Sequence, residues 1–329
     1  MRALLMLVLL VAGLWSGWWF YGAHQTRLAF EGWLAEHAAQ GEVAEAAVSV
    51  RGFPSRFDTT LSDLRIGFGG WVWEADTFQT LMLAYAPNKA VAVWPGPQRL
   101  VDPAGTVTVL EGEEARASVE VGLDAALPVS SVTLVARGVS LDGAGWDARV
   151  DEVRFAAEAG RGISAALGED RQYHVGVLID TLALPDLPAA GGALPDTLDA
   201  FRIDAVAEFD KPVGLTDEVP ARVEVLRIGE ATLDWGAIRL AAEEGRLAVD
   251  GGGFLTGSLP LRLEGYPRLL EALAALGLLP ERQAGLALAG LSLLAGDGEE
   301  IGIPLSFAEG ETRLGPIPLG PAPRLGAPD

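Results

Sequence analysis

Ser258-Leu259-Pro260-Leu261-Arg262-Leu263-Glu264 alternates leucine with hydroxyl, proline and charge. Successive side chains on a strand point to opposite faces, so this period of two gathers the leucines on one side. It predicts that Leu259, Leu261 and Leu263 face a core while Arg262 and Glu264 face water. A strand with one buried and one wet face belongs to an antiparallel sheet. Pro260 cannot donate a ladder hydrogen bond, so an edge strand or a bulge is expected there.

The same period recurs along the chain. Val119, Val121, Leu123 and Ala125 alternate with Ser118, Glu120, Gly122 and Asp124. Tyr173, Val175, Val177 and Ile179 form another stripe, and Leu247 with Val249 a short one. Turn signals separate the runs at Asp142-Gly143, Asp250-Gly251-Gly252-Gly253 and Gly296-Asp297-Gly298. The expected fold is mainly β: a large antiparallel, curved or elongated sheet with one or two covering helices and an N-terminal transmembrane helix.

That first helix is read from Ala3 to Tyr21, which carry no charge, with Trp15, Trp18, Trp19, Phe20 and Tyr21 crowding the far end. The length suffices to cross a bilayer, and aromatics favour its interface. A cleaved signal would end in small residues instead, and Ala23-His24-Gln25 is a poor cleavage site. An uncleaved signal-anchor over 1–24 is therefore expected. Arg2 points to a cytoplasmic N-terminus, which places the bulk of the chain in the periplasm of a bacterial inner membrane. Thr26 to Gln40 reads as an amphipathic stalk helix (25–41), with Phe30, Trp33, Leu34 and Ala38 on one face and Gly41 as its stop. A second helix is expected from Tyr266 to Leu279, with Pro267 in its first turn and Leu269, Leu270, Leu273 and Leu276 as its stripe. Leu184 to Leu198 is rich in Pro, Gly and Ala without a period, and suggests a boundary. The expected organisation is a β-rich half over 42–190, a second over 191–314 with a helix near 266–279, and a Pro/Gly-rich tail over 315–329. Proline restricts that tail to extended backbone.

Composition narrows function more than it names one. The formal net charge of -21 repels nucleic acid, so no nucleic-acid partner is expected. The absence of cysteine removes disulfides, thiolate metal sites and a cysteine nucleophile. Arg dominates over Lys, which stands only at Lys89 and Lys211. With Ala, Gly and Pro abundant, a GC-rich genome accounts for that bias. His24, His37 and His174 lack metal-ligand spacing, and no Gly-x-Ser-x-Gly elbow or phosphate loop occurs. Glu113-Glu114, Asp151-Glu152, Glu243-Glu244 and Glu299-Glu300 are adjacent pairs, whose members diverge on a strand. The run Asp142 to Glu152 has Ala144, Trp146 and Ala148 where a calcium loop needs oxygen ligands. No catalytic, cofactor or metal site is expected.

Tryptophan is the more informative residue. Trp71, Trp73, Trp94, Trp146 and Trp235 lie in β-rich segments, and Trp71 shares a face with Trp73. Core packing is one reading. An apolar groove contacted by Trp71, Trp73 and Trp94 is the other.

Four stretches resemble a known family. They are Gly52-Phe53-Pro54-Ser55-Arg56-Phe57-Asp58; Trp73 through Tyr85, Pro87 and Asn88 to Ala92-Val93-Trp94-Pro95; Leu233-Asp234-Trp235-Gly236 with Gly245-Arg246-Leu247 and Gly257-Ser258-Leu259; and Arg313-Leu314-Gly315-Pro316-Ile317-Pro318-Leu319-Gly320. Together they resemble an uncharacterised bacterial envelope family, domain of unknown function 2125. A looser similarity to AsmA-like envelope proteins implies lipid handling or envelope assembly. Three expectations follow: binding of lipid or another apolar ligand in envelope biogenesis, a ligand-free structural or interaction module among envelope proteins, and, most distant, a hydrolase.

Overall fold

The structure is a computed structural model that describes residues 1–160, 169–185, 194–216, 219–275, 279–295 and 300–325. It is mainly β, with 17 strands in one antiparallel sheet. The chain divides into two compact units, Met1–Glu120 with Val135–Ala144, and Val121–Leu134 with Gly145–Asp329.

The first unit begins with helix α1 (Arg2–Ala39), so anchor and stalk are one continuous helix. Gly41 follows at φ +85°, a left-handed conformation that an L side chain rarely adopts. Strands β1 (Ala44–Arg51), β2 (Arg56–Phe68) and β3 (Trp71–Leu83) form an antiparallel meander. Beyond β3 the sheet forks. Strand β4 (Ala86–Val93) pairs with Gln79–Leu83, and β5 (Gln98–Val101) pairs with Val72–Ala75 of the same strand. Strand β6 (Val107–Glu111) continues from β5, and β7 (Glu114–Val121) lies beside β4. Strand β8 (Val129–Gly143) joins β6 through Val109↔Asp142 to Glu111↔Ser140.

The second unit is a meander in which each strand pairs with the next. It runs β9 (Trp146–Ala159), β10 (Gln172–Ala183), β11 (Thr197–Phe209), β12 (Val223–Trp235), β13 (Ile238–Val249) and β14 (Leu255–Glu264). After helices α2 (Tyr266–Ala275) and α3 (Glu281–Ala295) it resumes with β15 (Glu300–Ala308), β16 (Glu311–Leu314) and β17 (Ile317–Pro321). Leu259, Leu261 and Leu263 are buried, and Leu263 is 0% exposed, while Pro260, Arg262 and Glu264 are exposed. Tyr266 and Leu270 from α2, Leu291 from α3, and Ile301 and Ile303 from β15 complete this core.

Several sequence expectations change on contact with tertiary structure. Strand β14 lies between β13 and β15, so Pro260 is not on an edge. Its missing donor is accommodated by a register shift in β13 between Ala242 and Arg246, opposite Leu259-Pro260. The bulge half of the expectation holds. The stripe from Val119 stops at Val121, where β7 ends, and Leu123 is 81% exposed. Asp124 turns the chain there by accepting from Ala126 N–H at 3.1 Å. Strand β10 shows no clean alternation after Tyr173, since Val175, Val177 and Ile179 are half-buried along with their neighbours.

Helix α2 is described over Tyr266–Ala275, and Leu276 with the Gly296-Asp297-Gly298 turn lies outside the described residues. Helix α3 was not foreseen: Gly285 and Gly290 interrupt an all-round apolar stretch with no stripe to read. The stretch near 184–196 joins two strands that pair with each other, Ala183 lying opposite Thr197. The expected 190/191 boundary itself lies among residues 186–193, outside the described residues. The Pro-rich tail pairs with β16 as a strand, and Ile317 and Ala322 are buried.

Candidate functional site

An apolar cleft of 370 Å³ opens in the first unit between α1 and the β2–β3 hairpin. Its walls are Ala29, Phe30 and Trp33 from the helix, Leu61, Leu64 and Ile66 from β2, and Trp73 and Phe78 from β3. None of these side chains is charged.

The way these residues converge explains why simple alternation does not find them. Along β2 the buried positions are Phe57, Thr59 and Leu61, then Leu64. The phase jumps by one residue between Leu61 and Leu64. Asp63 sits in this interval at φ +53°, a left-handed conformation that Asp tolerates better than most residues. The β1 register shifts at the same level, between Glu45 and Ala47. Opposite, β3 carries Trp73 and Ala75 in one phase and Phe78 in the other, paired with Ile66, Leu64 and Leu61 respectively. Both strands thus switch faces together and keep one apolar surface beneath the helix.

Trp73 is oriented by a hydrogen bond from its indole Nε1 to Gln98 Oε1 at 2.9 Å. Gln98 is itself buried and donates through Nε2 to Gly96 O at 2.9 Å. Phe78 lies edge-on to Trp73 at 5.5 Å and tilts against Trp94 at 5.4 Å. Trp33 is 41% exposed, with its ring 4.0 Å from that of His37, whose Nδ1 lies 2.9 Å from Trp33 O. Of the three expected contacts, Trp73 is in the wall and Trp94 stands behind it through Phe78. Trp71 is 38% exposed and is not part of the wall. Ala29 was missed, and Phe30 and Trp33 were read only as a packing face of the stalk; on the strands the residues missed were Leu61, Leu64, Ile66 and Phe78. The phase switch hid them, and only the three-residue spacing of Leu61 and Leu64 around Asp63 hinted at it.

Two further cavities lie in the second unit. One of 520 Å³ lies beside α3, against Leu286, Ala287 and Leu291 on the helix and Ile303, Pro304 and Ile317 on the strands. Another of 700 Å³ has His174, Asp204, Arg227, Glu244 and Arg246 on its walls beside Ala205, Val206 and Ile228. His174 Nε2 lies 2.9 Å from Asp204 Oδ2, and among the described residues no Ser, Thr or Tyr hydroxyl lines this cavity beside them. Glu208, 4% exposed, is ion-paired with Arg227. Among the described residues no group of three or more His, Asp or Glu could hold a metal ion.

The perturbed titrations belong to the scaffold. Burial raises the Tyr173 phenol, which donates to Val129 O at 2.6 Å. The Asp210 carboxyl is lowered chiefly by the Arg222 backbone N–H, at 2.8 Å. Asp102 is lowered in the same way by the Thr106 N–H, also at 2.8 Å.

Fold and site define a class: an antiparallel β-sheet protein whose one N-terminal helix, among the described residues, is long and apolar enough to cross a membrane. The chain belongs to the bacterial family described as "Uncharacterized protein conserved in bacteria (DUF2125)", whose family model matches residues 19–323. No curated protein and no solved structure matches it.

Proposed function

We propose that this is a single-pass, membrane-anchored protein whose sheet lies in the periplasm and whose first unit receives the acyl chain of a lipid during envelope biogenesis. The observation that carries this reading is the cleft between α1 and the β2–β3 hairpin, with eight apolar side chains in its wall and no charge. Its 370 Å³ lies within the range of roughly 300–1,000 Å³ typical of small-molecule sites. One wall is the continuation of the helix that would span the bilayer, so a chain leaving the membrane could follow α1 without crossing water. The looser likeness to AsmA-like proteins supplies no part of this reading.

A ligand-free structural module is the second reading. The second unit favours it around Leu263, which is fully shielded in the core that Leu270 of α2 and Leu291 of α3 complete.

Native mass spectrometry of the full chain released from detergent tests the choice. Phospholipid should travel with the wild-type protein. Ala29→Trp, which fills the cleft from its helical wall, should abolish the adduct while the melting temperature holds. Equal lipid on both proteins, or none on either, overturns the ligand reading. An active C-terminal alkaline phosphatase fusion checks the orientation.

A further inference from the structure

Two hairpin tips of the first unit are bound to the part of α1 that a bilayer should occupy. The indole Nε1 of Trp15 donates to Pro54 O at 2.9 Å, and that of Trp19 donates to Arg56 O at 2.8 Å. Trp19 is buried, with Phe53 edge-on at 5.4 Å and Phe57 stacked at 5.9 Å. Phe53 also stacks on Phe20 at 5.7 Å. Gly22 lets the sheet come this close, since a Cβ there would lie 2.6 Å from the Phe57 ring. The β3–β4 tip is tied to the same place. Ala84 N–H donates to Ser55 O at 2.9 Å, and Ala84 is buried against Trp19 and Phe57.

Length turns these contacts into a statement about depth. A hydrocarbon core is ~30 Å thick, and a helix rises ~1.5 Å per residue. From Ala3, next to the charge of Arg2, that thickness extends to about Gly22. Trp15 and Trp19 stand only about 18 and 24 Å along the same line. Side chains on a helix lean toward its N-terminus, so their contacts are no shallower than these figures. The stretch free of the sheet, Ala3 to Leu14, rises only about 18 Å and is too short to span by itself.

The geometry points to a membrane-embedded rim. When α1 crosses the bilayer, the β1–β2 tip at Phe53-Pro54 and the β3–β4 tip at Leu83-Ala84-Tyr85 enter the lipid interface beside it. This rests on the reading of α1 as a membrane span. The chemistry of the rim suits lipid. Phe53 is 51% exposed and Tyr85 67%, and Phe53 stacks on Phe20, itself exposed on the helix like Leu14 and Trp18. The carbonyls of Pro54 and Arg56 accept the two indole protons, which removes bare polar groups at that depth. Arg51 and Arg56 are exposed just above the tip, where phospholipid phosphates would lie. A bilayer therefore fits this surface, and the rim fixes the height of the cleft above it.

The native chain has no cysteine, so single cysteines can be spin-labelled cleanly. The full chain is placed in nanodiscs of phosphatidylcholine and phosphatidylglycerol with labels at Leu9→Cys, Phe53→Cys, Tyr85→Cys and Phe68→Cys. Phe68 is the control. It lies at the opposite end of the β2–β3 hairpin from the tips. Collision with oxygen should exceed collision with a water-soluble nickel chelate at 9, 53 and 85, and the ratio at 53 and 85 should be severalfold above that at 68. Tyr85→Cys keeps the test alive if Phe53→Cys disturbs the contact with Trp19. A dry Leu9 with 53 and 85 as wet as 68 overturns the embedded rim and leaves the anchor standing. A wet Leu9 overturns both.

Discussion

The two units cover the apolar face of a sheet in different ways. In the second, α2 and α3 lay Tyr266, Leu270 and Leu291 over Leu263, Ile301 and Ile303, and Leu263 is fully shielded. In the first, one helix presents different surfaces along its length. Its N-terminal turns present leucines outward, while its later turns bury Trp19 and Leu34 against the unit and leave Trp33 41% exposed. The result is a sealed core around Leu263 in the second unit, with an apolar cavity left beside α3, and a cleft under the covering helix itself in the first. The difference teaches that the faces of a sheet are set by alternation, whereas the fit of the covering helix decides whether a face becomes core or cleft.

The largest expected effect lies in the closed core. Leu263→Asp places an unpaired charge at full burial and should lower stability by about 4 kcal/mol or more, which thermal melting of the full chain in detergent reads directly. Arg262→Asp, one residue along and facing water, should cost about 0.5 kcal/mol, because its pairing with Glu243 is exposed on both sides. Similar losses from the two would break the picture of one sealed and one wet face.

A smaller effect separates the tryptophans of the cleft. Trp73→Ala removes a ring fixed by Gln98 and packed on Phe78, and should cost roughly 3 kcal/mol. Trp71→Ala, on the same strand but outside the wall, should cost less than about 1 kcal/mol and leave lipid retention unchanged. A loss of retention with Trp71→Ala would extend the cleft beyond its present wall.

Smaller again is Trp19→Phe, which keeps an aromatic ring but loses the proton donated to Arg56 O. A loss of about 1–2 kcal/mol is expected from the unpaired carbonyl. No loss would mean that water or lipid headgroups serve that carbonyl and that the contact is not dry.

The smallest effect is acid sensitivity in the second unit. Asp210 has its carboxyl pKa lowered below 3.8 in the folded state by the Arg222 N–H. A depressed folded pKa contributes stability above the unfolded value, and that contribution disappears as the pH falls through the folded value. Asp210→Asn should therefore flatten the decline of melting temperature below about pH 4. An unchanged acid limb would show that this turn does not contribute.

Much of the sheet was legible because Leu259, Leu261 and Leu263 keep a strict period of two beside unambiguous turn residues. Pro260 shows where such reading stops. Its need for an accommodation was visible, but the bulge sits on β13, a different stretch of chain. The cleft was half legible. Trp73 and Trp94 were singled out as aromatic, yet Trp71, in phase with Trp73, stands at the very start of β3 opposite exposed Phe68 and falls outside the wall. Helix α3 escaped because glycine and alanine give a buried-looking stretch no stripe.

By itself the sequence determined the class of this protein. The uncharged apolar run dictated a helix long and apolar enough to cross a membrane, and strict alternation dictated two-faced strands, because each follows from backbone geometry and the cost of placing side chains in the wrong medium. Tertiary structure alone decided which strand pairs with which, where both strands of a hairpin switch phase, and which apolar faces are roofed. Those outcomes depend on residues far apart in the chain meeting in space: Trp15 with Pro54, Trp19 with Arg56, and Trp73 with Gln98. No local pattern encodes such a meeting, because each partner would be equally at home on an exposed loop or edge until the other is packed against it.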